Sequence, residues 1–164
     1  SNAEITAEGA VYLLLHHLQR TLSGAKILVI GYGRIGGFLA GKLRFLGAKV
    51  TVAARRTEQL TELTIRGYET EQTGVYAKGL GTYDAVVNTV PGEIMTTEQV
   101  MQLDERCILL ELASLPGGFP AKAKELRSVV MGQALPGKTA PETAGKNLAE
   151  AVWSCLHGEG RTLE

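Results

Sequence analysis

The run Lys26-Ile27-Leu28-Val29-Ile30-Gly31-Tyr32-Gly33-Arg34-Ile35-Gly36 joins a short apolar, β-branched segment to glycines in the spacing G-x-G-x-x-G. The apolar segment reads as a buried strand, and Ile35, Phe38, Leu39, Leu43 and Leu46 then recur at helical spacing up to Gly47. Strand, tight turn and helix thus follow one another inside a unit of roughly 30 residues, the context that gives this spacing a physical meaning. Gly31 permits the sharp turn, Gly33 lets a pyrophosphate approach the backbone, and Gly36 lets the helix pack close to the strand. Phosphates would then meet the free N–H groups and the positive dipole end of that helix. Gly31, Tyr32, Gly33, Arg34, Ile35 and Gly36 are therefore candidate phosphate-binding residues, against the blander reading of a tight turn with no ligand.

Working outward, Thr6 is placed to cap a helix whose apolar positions Ala10, Val11, Leu14, Leu15, Leu18 and Leu22 keep helical spacing, with Ser23-Gly24 ending it. Residues 48–53 form a second strand, 57–66 a second helix and 67–70 a short third strand. Residues 84–90 follow as a fourth strand, stopped by Pro91-Gly92. Thr96 opens a short helix in which Gln99 is placed to complete a capping box. A fifth strand over 107–112, a helical turn over 121–126 and a weaker sixth strand over 128–131 come next. The last helix is expected to begin near Thr139, with Glu142 completing a second capping box, and to run through Leu148, Val152 and Leu156 to Gly158. Apolar strands alternating with amphipathic helices predict an α/β, Rossmann-type doubly wound parallel sheet of about six strands, with helices on both faces.

The composition agrees with one such domain. The chain has 164 residues, 45% of them hydrophobic and 21% charged, so it can bury a sizeable core and wholesale disorder is excluded. Lys plus Arg and Asp plus Glu balance at 17 each, which argues against nucleic acid or an acidic membrane surface as the main partner. Two cysteines, Cys107 and Cys155, make neither a disulfide framework nor a metal cluster and read as reduced thiols of a cytoplasmic protein. The 20 glycines are in excess of the roughly 7% of an average protein and point to many turns. Ser1-Asn2-Ala3 looks like the remnant of a cleaved expression tag, leaving residues 4–164 as the nucleotide-binding domain. The apolar run over 11–15 is far short of the roughly 20 residues of a membrane span.

The end of the second strand bears on which dinucleotide would bind. A carboxylate there would hold the ribose hydroxyls of NAD, whereas arginine accommodates the additional phosphate of NADP. The chain reads Ala53-Ala54-Arg55-Arg56, with no carboxylate before Glu58. Ala54, Arg55 and Arg56 therefore favour NADP over NAD, the alternative being solvated surface charge. Asn88-Thr89-Val90-Pro91 and Leu112-Ala113 end the fourth and fifth strands, where a doubly wound sheet opens its ligand crevice, and are expected to flank the nicotinamide ribose and ring.

From the Thr6-Ala7-Glu8-Gly9-Ala10 helix to Gly36, the chain resembles the cofactor domains of D-2-hydroxyacid dehydrogenases and of adenosylhomocysteinase. The dehydrogenases carry an arginine just past the fifth strand and a histidine near the final helix. Here those places read Glu111-Leu112-Ala113-Ser114-Leu115-Pro116-Gly117-Gly118 and Leu135-Pro136-Gly137-Lys138-Thr139-Ala140-Pro141, with neither residue, and His157 falls at the tail of the last helix. A fuller resemblance joins Thr6-Ala7-Glu8-Gly9-Ala10, Ala54-Arg55, Asn88-Thr89-Val90-Pro91, Leu112-Ala113-Ser114, Pro116-Gly117-Gly118, Leu135-Pro136-Gly137, Ala140-Pro141 and Thr143-Ala144-Gly145. This set is similar to the A subunits of dipicolinate synthase.

That resemblance implies NAD(P)-dependent oxidation of dihydrodipicolinate to dipicolinate during sporulation, in the cytoplasm of the mother cell. It also implies a partner, the flavoprotein-like B subunit, and a further domain preceding this one, without which the isolated domain is expected to be inactive. Ser114, the backbone of Gly117 and Gly118, and Lys138 are the candidates for holding a small dicarboxylate substrate, each with a bland alternative as loop or surface residue. No catalytic residue is assigned. Two other readings stay open: a dinucleotide-binding sensor or scaffold subunit without turnover of its own, and an enzyme like the D-2-hydroxyacid dehydrogenases. Zero net charge and amphipathic terminal helices are compatible with a homodimer.

The remaining polar residues read mainly as structural. His16 and His17 are expected to diverge on their helix and so not to chelate together. Cys107 and Cys155 read as packing residues. Glu111, on an otherwise apolar strand, is expected to be a strand-end residue facing polar surroundings rather than a carboxylate of the crevice.

Overall fold

Ile27 and Val29 point to one side of their strand and Leu28 and Ile30 to the other, and all four are fully buried. A strand apolar on both faces needs cover on both sides, and each such side chain contributes about 1.5–3 kcal/mol on burial. In this computed structural model, which describes residues 1–133 and 135–156, that strand, β1 (Lys26–Ile30), lies at the centre of a six-stranded sheet. The others are β2 (Lys49–Ala54), β3 (Glu69–Gln72), β4 (Ala85–Asn88), β5 (Ile108–Glu111) and β6 (Val129–Met131). The order is β3-β2-β1-β4-β5-β6 and every pairing is parallel. The expected doubly wound sheet is the one observed.

One face is covered by α1 (Asn2–His17), α2 (Arg34–Phe45), α3 (Thr57–Ile65) and α6 (Leu135–Thr139), through Ala7, Ala10, Leu14, Leu39, Leu43, Leu63 and Leu135. The other face carries α4 (Thr97–Gln102) and α5 (Ala121–Leu126), with Val100 and Ala123 inward. Between β3 and β4 no helix forms. Tyr76, Leu80 and Tyr83 of that connection bury themselves on the second face instead, and the Tyr76 hydroxyl donates to the Ile94 carbonyl at 2.7 Å. Burial raises that phenol to about 12, so it stays a donor at neutral pH. The expected capping box is present: Thr96 Oγ1 accepts from Gln99 N at 3.1 Å and Gln99 Oε1 accepts from Thr96 N at 3.0 Å.

Both chain ends depart from expectation. Thr6 does not cap α1 but lies inside it, donating its hydroxyl to Asn2 O at 2.8 Å, and Asn2 and Ala3, which look like a tag remnant in the sequence, are helical. The helix stops at His17 rather than at Ser23-Gly24. Leu18 turns extended and Leu22 reaches the core from outside the helix, so its helical spacing is coincidental. Near the other end, Leu135-Pro136-Gly137-Lys138-Thr139 is the helix α6, not the loop before the last helix. Thr139 donates its hydroxyl back to Leu135 O at 2.8 Å instead of capping the final helix. Packing decides this: Leu135 is buried against Gly9 of α1, and a proline is tolerated in a helix's first turn. Pro141 then opens α7 (Pro141–Leu156) at the position proline favours. Residues 157 and 158 of the expected helix, and His157 with them, lie outside the described residues.

Candidate functional site

β1 and β4 are neighbours in the sheet but their connections leave in opposite directions, and a parallel sheet opens its ligand crevice above such a point, at the carboxyl ends of the strands. The glycine turn sits there. Gly31 has φ +97°, its N–H donates to Ala53 O at 2.8 Å, and a Cβ on it would lie 2.5 Å from both Thr89 Oγ1 and Val90 Cγ1. A Cβ on Gly36 would run into the carbonyl oxygen of Gly31. Gly33 is the opposite case. It is exposed, and a Cβ there would meet nothing within 4 Å. The turn is thus packed tightly from below, by the end of β4, and open above Gly33, where a bound group has room.

The first N–H groups of α2 have no acceptor within the helix and carry its positive end. Neighbouring side chains brace the turn: Gln59 Nε2 donates to Tyr32 O at 3.1 Å, and the Tyr32 ring meets Tyr68 edge-on at 6.2 Å, with Arg44 over the Tyr68 ring. Gln59 and Tyr68 carry no signal that sequence patterns read. Ile35 is half-buried against the core, and Arg34 is exposed. A glycine cradle that excludes Cβ atoms on one side and leaves space on the other fits a pyrophosphate.

Ala54, the last residue of β2, is buried, while Arg55 and Arg56 beyond it are exposed. Arg55 Nη2 donates to the Glu93 carbonyl at 3.3 Å, spanning from the end of β2 to the segment after β4. Arg56 precedes α3 and makes no ion pair among the described residues. The nearest strand-end carboxylate, Glu71 of β3, is buried and accepts the Lys78 N–H at 2.8 Å. No free carboxylate therefore stands at the end of β2 itself.

Ile30, Asn88 and Glu111 lie side by side at the ends of β1, β4 and β5. The Asn88 amide is fully engaged inside the protein. Its Nδ2 donates to Val90 O at 2.8 Å and to Glu111 Oε1 at 2.7 Å, and its Oδ1 accepts from Val90 N at 3.1 Å. It shapes the crevice floor and does not project its amide toward a ligand. Thr89 likewise donates its hydroxyl to Ile30 O at 2.8 Å. Val90 is half-buried beneath Gly31, and Pro91 is exposed. Leu112 is buried, and the Ala113 N–H donates to Glu111 Oε1 at 3.0 Å. Glu111 itself is fully buried, more enclosed than the strand-end position expected for it.

Three of the four substrate candidates share one loop after β5, and Lys138 lies on α6. Ser114 is exposed, and its carbonyl accepts the Gly117 N–H at 2.9 Å. The Gly118 N–H donates to Glu111 Oε2 at 2.7 Å. Both glycine N–H groups are therefore engaged inside the protein, one by the loop and one by β5, and are not open donors for a carboxylate. Lys138 is exposed on α6, and no hydrogen bond or ion pair joins it to Ser114 or the glycines among the described residues. His16 and His17 do not diverge: their rings meet edge-on at 5.0 Å at the end of α1. No group of three or more metal-ligating side chains occurs among the described residues. Cys107 is buried, which pushes its thiol up to about 12, so it remains a neutral packing group as expected. The Cys155 side chain lies outside the described residues. No described helix is long and apolar enough to cross a membrane.

No protein-family model matches the chain. A curated relative, the A subunit of dipicolinate synthase from Bacillus subtilis, is 32% identical over 157 residues, covering 94% of this chain and 53% of the relative. The chain resembles the A subunit of dipicolinate synthase. The crystal structure of that protein from Bacillus halodurans superposes with a TM-score of 0.88 at 34% identity, covering 94% of this chain and 54% of that one. The crystal structure of its Bacillus subtilis counterpart gives 0.85 at 31% identity, with coverages of 96% and 53%. The chain spans about half the length of these relatives. The lettered name of the curated relative implies that its enzyme has more than one kind of subunit.

Proposed function

We propose that this chain is the dinucleotide-binding domain of an NADP-dependent dehydrogenase subunit that oxidises dihydrodipicolinate to dipicolinate, working with a flavoprotein-like second subunit in the cytoplasm of a sporulating mother cell. The observation that carries the reading is the likeness, over almost the whole chain, to the A subunit of dipicolinate synthase. The glycine turn supports the cofactor: the backbone at Gly33 and the first turn of α2 would receive the pyrophosphate, with Arg34 and Ile35 fixing the helix start. Arg55 and Arg56, with no free carboxylate beside them at the end of β2, would pair with the additional phosphate of NADP. When bound, the nicotinamide supplies the hydride acceptor. Thr89, Val90, Pro91, Leu112 and Ala113 then shape the side of the crevice where the ring would lie, and Asn88 supports them from below. Aromatising a dihydropyridine is downhill, so placing the donor carbon correctly supplies much of the acceleration.

The test is reduction of NADP by the full-length protein in the presence of dihydrodipicolinate and the second subunit. Absence of reduction with NADP and NAD alike overturns the reading. Calorimetric titration addresses the cofactor: wild type is expected to prefer NADP roughly tenfold, as one additional charge-assisted contact allows, and Arg55→Ala to lose that preference. An unchanged ratio removes Arg55 from the site. The engaged N–H groups of Gly117 and Gly118 favour a second reading, a dinucleotide-binding subunit whose chemistry is completed by its partner. Steady-state turnover by the full-length protein on its own excludes it.

A further inference from the structure

We propose that Glu111 is a positioning residue: its buried carboxylate ties residues 113–118 to β4 and so sets the crevice wall that meets the nicotinamide half of the cofactor. The inference rests on the dinucleotide reading above. Glu111 is fully buried, yet no cation pairs with it among the described residues. Three neutral N–H donors converge on it instead: Asn88 Nδ2 and Ala113 N on Oε1, and Gly118 N on Oε2. The donors come from a neighbouring strand and from both ends of a loop. One carboxylate therefore fixes β4, the start of the loop and its return at once.

The loop leaves little slack around this knot. Gly117 has φ +81°, and a Cβ on it would lie 2.5 Å from Glu111 Oε2; a Cβ on Gly118 would lie 2.5 Å from Asn88 Nδ2. The Gly118 carbonyl also accepts from Ile94 N at 3.0 Å, binding the loop to the segment after β4. Because every partner donates, a glutamine cannot replace the carboxylate. Its NH₂ would face an N–H whichever way the amide is turned, so at least one tether is lost. In a doubly wound sheet the adenosine half lies over β1 and β2 and the nicotinamide half over β4 and β5. Loosening the loop should therefore be felt by one half of the cofactor only.

The experiment compares Glu111→Gln with wild type in calorimetric titrations of NADP and of ADP, which lacks the nicotinamide half, together with amide hydrogen exchange. The expected result is roughly tenfold weaker NADP binding, as loss of one hydrogen bond to a charged group allows, with ADP binding unchanged. Exchange should quicken at Ala113 and Gly118 while β1 and β2 amides keep their protection. Equal weakening of both ligands, uniform loss of protection, or no change in either overturns the proposal. A wild type that binds neither NADP nor NAD overturns the cofactor reading and this role with it. Should Glu111→Gln not fold, Gly118→Ala, which keeps the carboxylate but presses on Asn88, is expected to give the same split between NADP and ADP, and equal loss there overturns the proposal.

Discussion

Gly36→Ala is expected to abolish dinucleotide binding and to lower stability by about 2 kcal/mol, although the same exchange at an ordinary helix position helps. Alanine in place of glycine inside a helix gains up to about 1 kcal/mol. At Gly36 the new methyl meets the carbonyl oxygen of Gly31, backbone that no rotamer change can move, and overpacking of this kind costs about 1–3 kcal/mol or more. The clash wins, and relieving it must shift Gly31, the residue that forms the turn. Gly41 of the same helix is the internal control, since a Cβ there meets nothing within 4 Å. Gly41→Ala should raise the melting temperature and leave binding alone, whereas Gly36→Ala should lower it by about 4–8 °C for a chain of this size. Thermal melts with titrations of NADP check both. A Gly36→Ala protein as stable as wild type and still binding would mean that the turn closes less tightly against α2 than its geometry implies.

Asn88→Ala should cost about 3 kcal/mol, close to the loss of a large core side chain, though it removes few apolar atoms. The amide makes three hydrogen bonds in a place where its exposure is 0%, and deleting it strips Val90 of both local partners and Glu111 of one of three donors. Leaving a buried charge short of a donor is the expensive part, since each buried group left unpaired costs about 1–3 kcal/mol. Denaturant titration with an unchanged slope would give the number directly. A loss under about 1 kcal/mol would show that water enters and replaces the amide.

Much of the architecture is legible in the amino-acid sequence because local and global signals agree there. Ile27 to Ile30 are apolar without alternation, as strands covered on both sides must be, and glycine follows where the chain has to turn. Thr96 and Gln99 form their capping box because the signal lies within four residues. Several of the misreadings share one cause, that a contact distant in sequence outweighs a local signal. Leu135-Pro136-Gly137 looks like a turn, but Leu135 packs on Gly9 and the segment becomes helical. Leu22 keeps helical spacing with Leu18 yet reaches the core by another route. Asn88 and Glu111 are separate polar residues in the sequence, and only the register pairing of β4 with β5 reveals that they neutralise each other's needs. Gly117 and Gly118 read as open N–H donors in the sequence, but the Ser114 carbonyl and the Glu111 carboxylate accept them.

The register that joins Ile27 to Val50 on one side and to Ala85 on the other has a kinetic consequence. The helices and strands up to β3 lie close along the chain and can assemble early, while the union of β1 with β4 must close a far longer loop and so comes late. Thr89 and Val90, the underside of the glycine turn, arrive only with β4. The glycine turn is therefore expected to take its final shape late in folding, since a chain halted before β4 docks holds the glycine motif but has nothing beneath it to fix its shape.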